Sequence, residues 1–277
     1  MSAFEQTLAY LLKVGSVTAV QLFTLGGPAL FLIAVLSVLS RFVFRLGRDA
    51  LGAHVYHFAF GILGSTIHEI GHAIASAIFG HRIREFRPFV LDPNAKVLGY
   101  VGSAHRPDNL YHHIGLFFVG IAPVLFGPLV IFLAAYILFY NEIGDFVRTL
   151  AVDSDSTQSA IRHILGSSLS FLGFLFSPSH LLGWRLYAFL YIAFAVGSSV
   201  HLSPPDIAYA RIGCVTLIVL LFMFNLVLLP LGVASESTFA WISPYYTFFY
   251  VILVFVMLLN LLAAALLWLP ASIRKSA

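Results

Sequence analysis

Five consecutive residues, His68-Glu69-Ile70-Gly71-His72, carry the densest chemistry in this 277-residue sequence. On a helix, positions four apart lie about 40° apart in azimuth and about 6 Å apart along the axis. Both imidazoles can then reach one metal ion at about 2.0 to 2.1 Å. Glu69 is rotated about 100° from His68. That direction makes it a poor third ligand, but suits it to act as general base towards an attacking water and then as general acid to a leaving group. The implied chemistry is zinc-assisted hydrolysis, with His68 and His72 as ligands and Glu69 as the catalytic carboxylate.

A catalytic zinc needs three protein ligands and one open position. The best source of the third is Ser199-Val200-His201-Leu202-Ser203-Pro204-Pro205-Asp206. Asp206 is the expected ligand and His201 the alternative. Asp206 has a second possible role, because Ser203, Pro204 and Asp206 also read as the capped start of a helix. The two roles can coexist on different carboxylate oxygens.

The elements that must position these groups are transmembrane helices. The chain is 60% hydrophobic and only 10% charged, against roughly 25% charged residues in a soluble domain. Its apolar stretches run to about 20 residues or more, enough to cross a hydrocarbon core roughly 30 Å thick. They lack the period-two alternation of barrel strands. The expectation is an all-α polytopic membrane protein with about six spans, near residues 17–40, 55–79, 113–140, 183–203, 209–233 and 239–268, in a single membrane-embedded domain. A short amphipathic helix is expected over residues 4–14, and the first apolar run reads as a retained anchor. The motif falls inside the second span. There each ionisable group costs about 2.5 to 3.5 kcal/mol on insertion scales, which marks function. The lone Cys214 excludes a disulfide within the chain.

Between the second and third spans, residues 80–112 read as a hairpin insert: Arg82 to Val90, a turn at Asp92-Pro93-Asn94, then Lys96 to Gly102. Val97, Leu98, Gly99, Tyr100 and Val101 are the candidate substrate-binding residues, offering an edge strand to an unwound peptide. Residues 142–160 read as a loop. The segment 161–181 is expected not to cross, because a full crossing would carry Asp206 to the face opposite the hairpin. Lys13, Arg82, Arg84, Arg87, Lys96, Arg106, Arg211, Arg274 and Lys275 then share one side, against Arg41, Arg45, Arg48, Arg148, Arg162 and Arg185. This bias places both termini and the site toward the cytoplasm, in a plasma (cell inner) membrane.

Together these features resemble the site-2 protease family of intramembrane zinc metalloproteases. The likeness rests on His68-Glu69-Ile70-Gly71-His72 inside a span, Leu98-Gly99-Tyr100-Val101 in the insert, Gly120 to Pro123 in the third span, and the distal Asp206, over residues 55–210. The resemblance implies zinc held by His68, His72 and Asp206, catalysis by Glu69, and a transmembrane segment of another protein as substrate. Family members usually present the aspartate in a Leu-Asp-Gly context with an asparagine upstream, whereas Asp206 lies between Pro205 and Ile207. The expected partners are a membrane-protein substrate and the lipid bilayer, with no nucleic acid. Two other readings stand beside this one. A non-catalytic zinc-binding scaffold would make Glu69 dispensable, and a di-iron hydroxylase or desaturase would need more histidine clusters than His68/His72 and His112-His113.

Overall fold

Helix α1 (Ala3–Leu51) opens the chain as one continuous element. The computed structural model describes residues 2–93, 95, 97–144, 157–235 and 243–276. Ser2 caps α1 through a capping box with Glu5, and Gly52 ends it at φ 89°, a left-handed conformation open to glycine. The short amphipathic helix and the first span therefore fuse. No breaker separates them, and Pro28 is accommodated within the helix. The part of α1 long and apolar enough to span is Gly26–Leu51 rather than residues 17–40.

Helix α2 (Ala53–Tyr56), a π-turn (His57–Gly61) and α3 (Ile62–Ile78) follow. Strands β1 (Arg82–Arg87) and β2 (Tyr100–Ala104) form a two-stranded antiparallel sheet. Then come α4 (Leu110–Leu138), α5 (Thr157–Leu175), α6 (Pro178–Leu181), α7 (Trp184–Gly197), α8 (Pro204–Leu228) and α9 (Ser243–Ser276). Among the described residues the protein is thus mostly helical with one small sheet. Among the described residues, four helices are long and apolar enough to cross a membrane: Gly26–Leu51, Leu110–Leu138, Pro204–Leu228 and Phe249–Arg274.

The spans expected at 55–79 and 183–203 are helical but built differently. The π-turn interrupts the first of them just ahead of the motif, a placement common at functional sites. The second is reduced to the 14 residues of α7, about 21 Å of helix. In the 161–181 region the apolar helical part is Ile164–Leu175, about 18 Å long and shorter than a hydrocarbon core. Of the loop expected over 142–160, residues 142–144 and 157–160 are instead helical, and the rest lies outside the described residues.

One core joins the helices. Leu36 of α1, Val124 and Ile131 of α4, Phe171 of α5, Phe189 and Val196 of α7, and Phe255 of α9 are buried against one another. At Gly120 of α4 an added Cβ would meet the backbone of Asp206 and Ala210 at 2.5 Å, so only glycine lets the first turn of α8 sit this close. At Gly64 of α3 an added Cβ would run into Ser199 and the Ala195 carbonyl. These two contacts bring α4, α8 and the end of α7 onto the motif helix.

The hairpin is shorter than expected and shifted in its second strand. Arg87 pairs with Tyr100 and Arg82 with Ala104, with an irregularity between Ile83 and Glu85. Val97, Leu98 and Gly99 therefore lie in the connection and not in a strand. The connection is pinned to the helix: the Ser65 hydroxyl donates to the Pro88 carbonyl (3.0 Å), and a ring nitrogen of His57 lies 2.8 Å from that of Val90. The Val90 N–H donates to the Leu98 carbonyl. Asn94 and Lys96, at the expected turn, fall outside the described residues.

Where the sheet meets α4, four imidazoles cluster: His81 lies 5.7 Å from His105 and 5.3 Å from His112, and His105 meets His113 edge-on at 5.9 Å, between ring centroids. Burial, reinforced by the neighbouring imidazoles, holds His81 and His105 below the ordinary histidine value. An opened hairpin base would take up protons near pH 6.5, about the unperturbed histidine pKa, before the closed one does. Its stability is therefore complete above that pH and lost as pH falls below it. Amide exchange of Arg82–Arg87, corrected for intrinsic rates, should show protection falling between about pH 7.5 and about pH 5.5. Protection that does not change with pH would count against this coupling.

Candidate metal centre

Three side chains from two distant segments, α3 and the start of α8, converge on one point. Among the described residues, His68, His72 and Asp206 each offer a ligand atom, and these atoms lie within 4.8 Å of one another. The Nε2 of His72 is 3.2 Å from Asp206 Oδ1, and that of His68 is 3.9 Å from Asp206 Oδ2. A tetrahedral zinc with ligands at about 2.0 to 2.1 Å holds them about 3.3 Å apart. Small side-chain rotations bring the three groups to that spacing. All three are shielded, with His72 at 7% and Asp206 at 6% exposure. Two imidazoles and one carboxylate are a zinc donor set, and three protein ligands leave a fourth position open.

The outer contacts fix which nitrogen faces the metal position. The Nδ1 of His68 is 2.8 Å from the Ser199 carbonyl, and that of His72 is 2.8 Å from the Val119 carbonyl. Each carbonyl accepts an Nδ1–H, so both rings present a bare Nε2, the arrangement typical of metal-bound histidines. The second acceptor has a cause in the sequence. In an unbroken helix the carbonyl of Val119 would accept from the N–H of residue 123, but Pro123 has none. The freed acceptor takes His72 instead. Restoring the donor with Pro123→Ala should draw Val119 back into the helix and lower zinc affinity about tenfold, at the lower end of outer-contact losses. Zinc titration against a competing chelator measures this, and unchanged affinity would show the acceptor to be incidental.

Asp206 is placed for both roles open to it. Its Oδ2 accepts the Ser203 N–H at 2.7 Å and its own N–H donates to the Ser203 hydroxyl, closing the capping box of α8. Its Oδ1 faces His72. His201, the alternative ligand, lies tilted beside His68 with ring centroids 5.6 Å apart, yet it is not among the converging donors.

Glu69 is buried at 7% exposure and lines the same cavity of about 490 Å³ as His68, His72 and Asp206. Its carboxylate has no hydrogen-bond partner among the described residues, which leaves it able to receive and release a proton. Val97, Leu98, Gly99, Tyr100 and Val101 also line this cavity. The five candidate substrate residues are thus brought to the site, although only Tyr100 and Val101 belong to a strand. A separate hollow between Leu63, Val130 and Ile192 is lined by apolar side chains alone.

Sequence reasoning missed five contributors: the Ser199 and Val119 carbonyls, the pins His57 and Ser65, and Arg41 on the cavity wall. His57 and Ser65 stand eight positions apart on one helical face, and Pro123 points to Val119, so part of this set carries a signal. No family model, curated protein or solved structure matches the chain.

Proposed function

We propose that the protein is an intramembrane zinc metalloendopeptidase that hydrolyses a peptide bond in or near a transmembrane segment of another membrane protein. The observation that carries this reading is the convergence of two Nε2 atoms and a carboxylate, with Glu69 beside them, in a cavity among apolar helices. A structural metal needs no free carboxylate next to it and no substrate-sized space. The single three-residue donor group among the described residues gives no support to a two-iron enzyme.

Zinc held by His68, His72 and Asp206 would supply Lewis acidity, polarising the scissile carbonyl and acidifying water. Glu69 takes the proton from the attacking water as the water oxygen bonds to the carbonyl carbon. It then delivers that proton to the amide nitrogen as the carbon–nitrogen bond breaks, leaving a carboxylic acid, which keeps the water's second proton, and an amine. The Ser199 and Val119 carbonyls keep both imidazoles aimed throughout. The site belongs to a multi-pass protein of the plasma membrane and faces the cytoplasmic side: Arg41 and Arg48, expected on the other side, stand at the cavity and at Pro93 of the insert, on the side of Arg82, Arg84 and Arg87.

A helical substrate hides its peptide bonds, so it must be extended before attack. The half-buried strand β2 has no partner other than β1 among the described residues. Its free edge, Tyr100–Ala104, is the place for an extended substrate to add as a third strand. The edge expected at Val97–Val101 thus moves a few residues along. Tyr100→Pro should lower cleavage about three- to tenfold, the worth of roughly one hydrogen bond, with zinc content unchanged. Full activity in this variant would contradict strand addition.

The direct test reconstitutes purified protein with a transmembrane substrate in lipid vesicles. Cleavage should stop with a zinc chelator and return when stoichiometric zinc is added. Zinc-loaded protein that cuts none of a broad substrate panel would favour the scaffold reading.

A further inference from the structure

The cavity that holds the metal-ligating triad has one cationic side chain on its wall, Arg41 of α1. Arg41 lies within the apolar helix Gly26–Leu51. An ionisable group in an apolar helix is expensive unless it reaches water or a partner, and the Arg41 side chain is exposed where it lines the cavity. Its Nε donates to the Ser37 carbonyl at 3.0 Å, one turn back, which aims the guanidinium but leaves its two terminal nitrogens free of that bond. Arg48, further along the same helix, is spoken for by the Pro93 carbonyl at 3.3 Å and by the Phe44 ring. Arg41 forms no ion pair among the described residues. The two carboxylates lining the cavity, Glu69 and Asp206, are committed to proton transfer and to the triad.

His201 lies on the same wall, close enough to Arg41 for their charges to interact. Its Nδ1 is enclosed by protein without a hydrogen-bond partner. A planar fork of guanidinium donors next to an imidazole N–H is a receptor for a carboxylate.

We propose that Arg41, assisted by His201, forms an anion subsite that binds an aspartate or glutamate side chain of the substrate near the scissile bond. This rests on the peptidase reading and narrows it. The substrate class becomes membrane proteins that carry an acidic residue beside the cut. Such a residue is rare inside a span and costly to bury there, so the guanidinium would both select it and offset its desolvation.

The test uses the full-length zinc-loaded protein and a set of transmembrane substrates that differ only in having Glu, Gln or Lys at each position flanking the cut. Wild type should prefer Glu over Gln by about tenfold in kcat/KM at one position, the discrimination expected of a charge-assisted pair in a partly solvated site. In Arg41→Gln that ratio should collapse to about one, and in Arg41→Glu the preference should turn to Lys. Equal kcat/KM for all three residues at every position, or a preference that survives Arg41→Gln, would overturn the subsite.

Two further arms separate other causes. Repeating the series in vesicles with and without anionic lipid tests whether Arg41 serves a lipid phosphate, in which case the Arg41 effect appears only with anionic lipid and the proposal fails. Binding of the Glu and Gln substrates to Glu69→Gln protein, read by fluorescence anisotropy, needs no turnover. If no substrate is cut yet the Glu form binds about tenfold tighter through Arg41, the peptidase reading falls and the subsite stands. Equal binding of both forms removes the subsite whatever the activity.

Discussion

Replacing Asp206 with alanine is expected to lower zinc affinity by more than the roughly 10- to 100-fold typical of losing an outer contact. The substitution takes one of three ligands and leaves two imidazoles on a single helical turn. It also opens the capping box of α8, a loss of about 1 kcal/mol that by itself would not release a metal. Asp206→Asn separates the two effects. The asparagine side-chain oxygen can still accept from the Ser203 N–H, now at 2.7 Å, but it is a much weaker zinc ligand. Metal analysis after dialysis against a chelator of graded strength should therefore find both variants depleted, while the melting temperature of the asparagine protein stays closer to wild type. Retention of zinc by both would remove Asp206 from the centre and return His201 to consideration.

The second large effect belongs to Glu69. Glu69→Gln keeps the size and hydrogen-bonding reach of the side chain but cannot take a proton. Cleavage should fall about 10²- to 10⁴-fold, the range assigned to general acid–base catalysis, while zinc stays bound because His68, His72 and Asp206 are untouched. Single-turnover kinetics on the zinc-loaded variant give the rate, and metal content is read from the same sample. A variant that cuts as fast as wild type would mean that Glu69 is not the base, and would favour a scaffold in which this carboxylate is spare.

How much of this arrangement is written in the sequence depends on the range of the interaction. The motif helix is legible because one turn fixes the relation of His68, Glu69 and His72 whatever surrounds them. Asp206 is legible from chemistry, since two histidines leave a catalytic zinc short of a ligand, and its cap role from the Ser203-Pro204 start of α8. The Val119 acceptor is half legible: Pro123 announces a freed carbonyl four residues earlier, but not that His72 would take it. Ser199 leaves no trace, because a backbone carbonyl in a loop has no residue signature.

The hairpin shows the opposite case. The alternation from Val97 to Val101 suits a strand, yet Ser65 and His57 hold the connection on the helix surface through Pro88 and Val90, and pairing begins only at Tyr100. Contacts made by residues more than twenty positions away decided the register. In α1, hydropathy suggested a break that the backbone does not make. Helix propensity and the Ser2 cap carry the helix through, and the arginines on one face are solvated or pinned rather than terminating.

The central claim is that a zinc ion is gripped by two imidazoles and one carboxylate inside the helix bundle. X-ray absorption at the zinc edge of the purified protein tests it most directly. The expected spectrum has a first shell of nitrogen and oxygen at about 2.0 to 2.1 Å with the outer scattering of two imidazole rings. A protein that carries no stoichiometric zinc after loading, or a zinc whose spectrum lacks imidazole scattering, would contradict it.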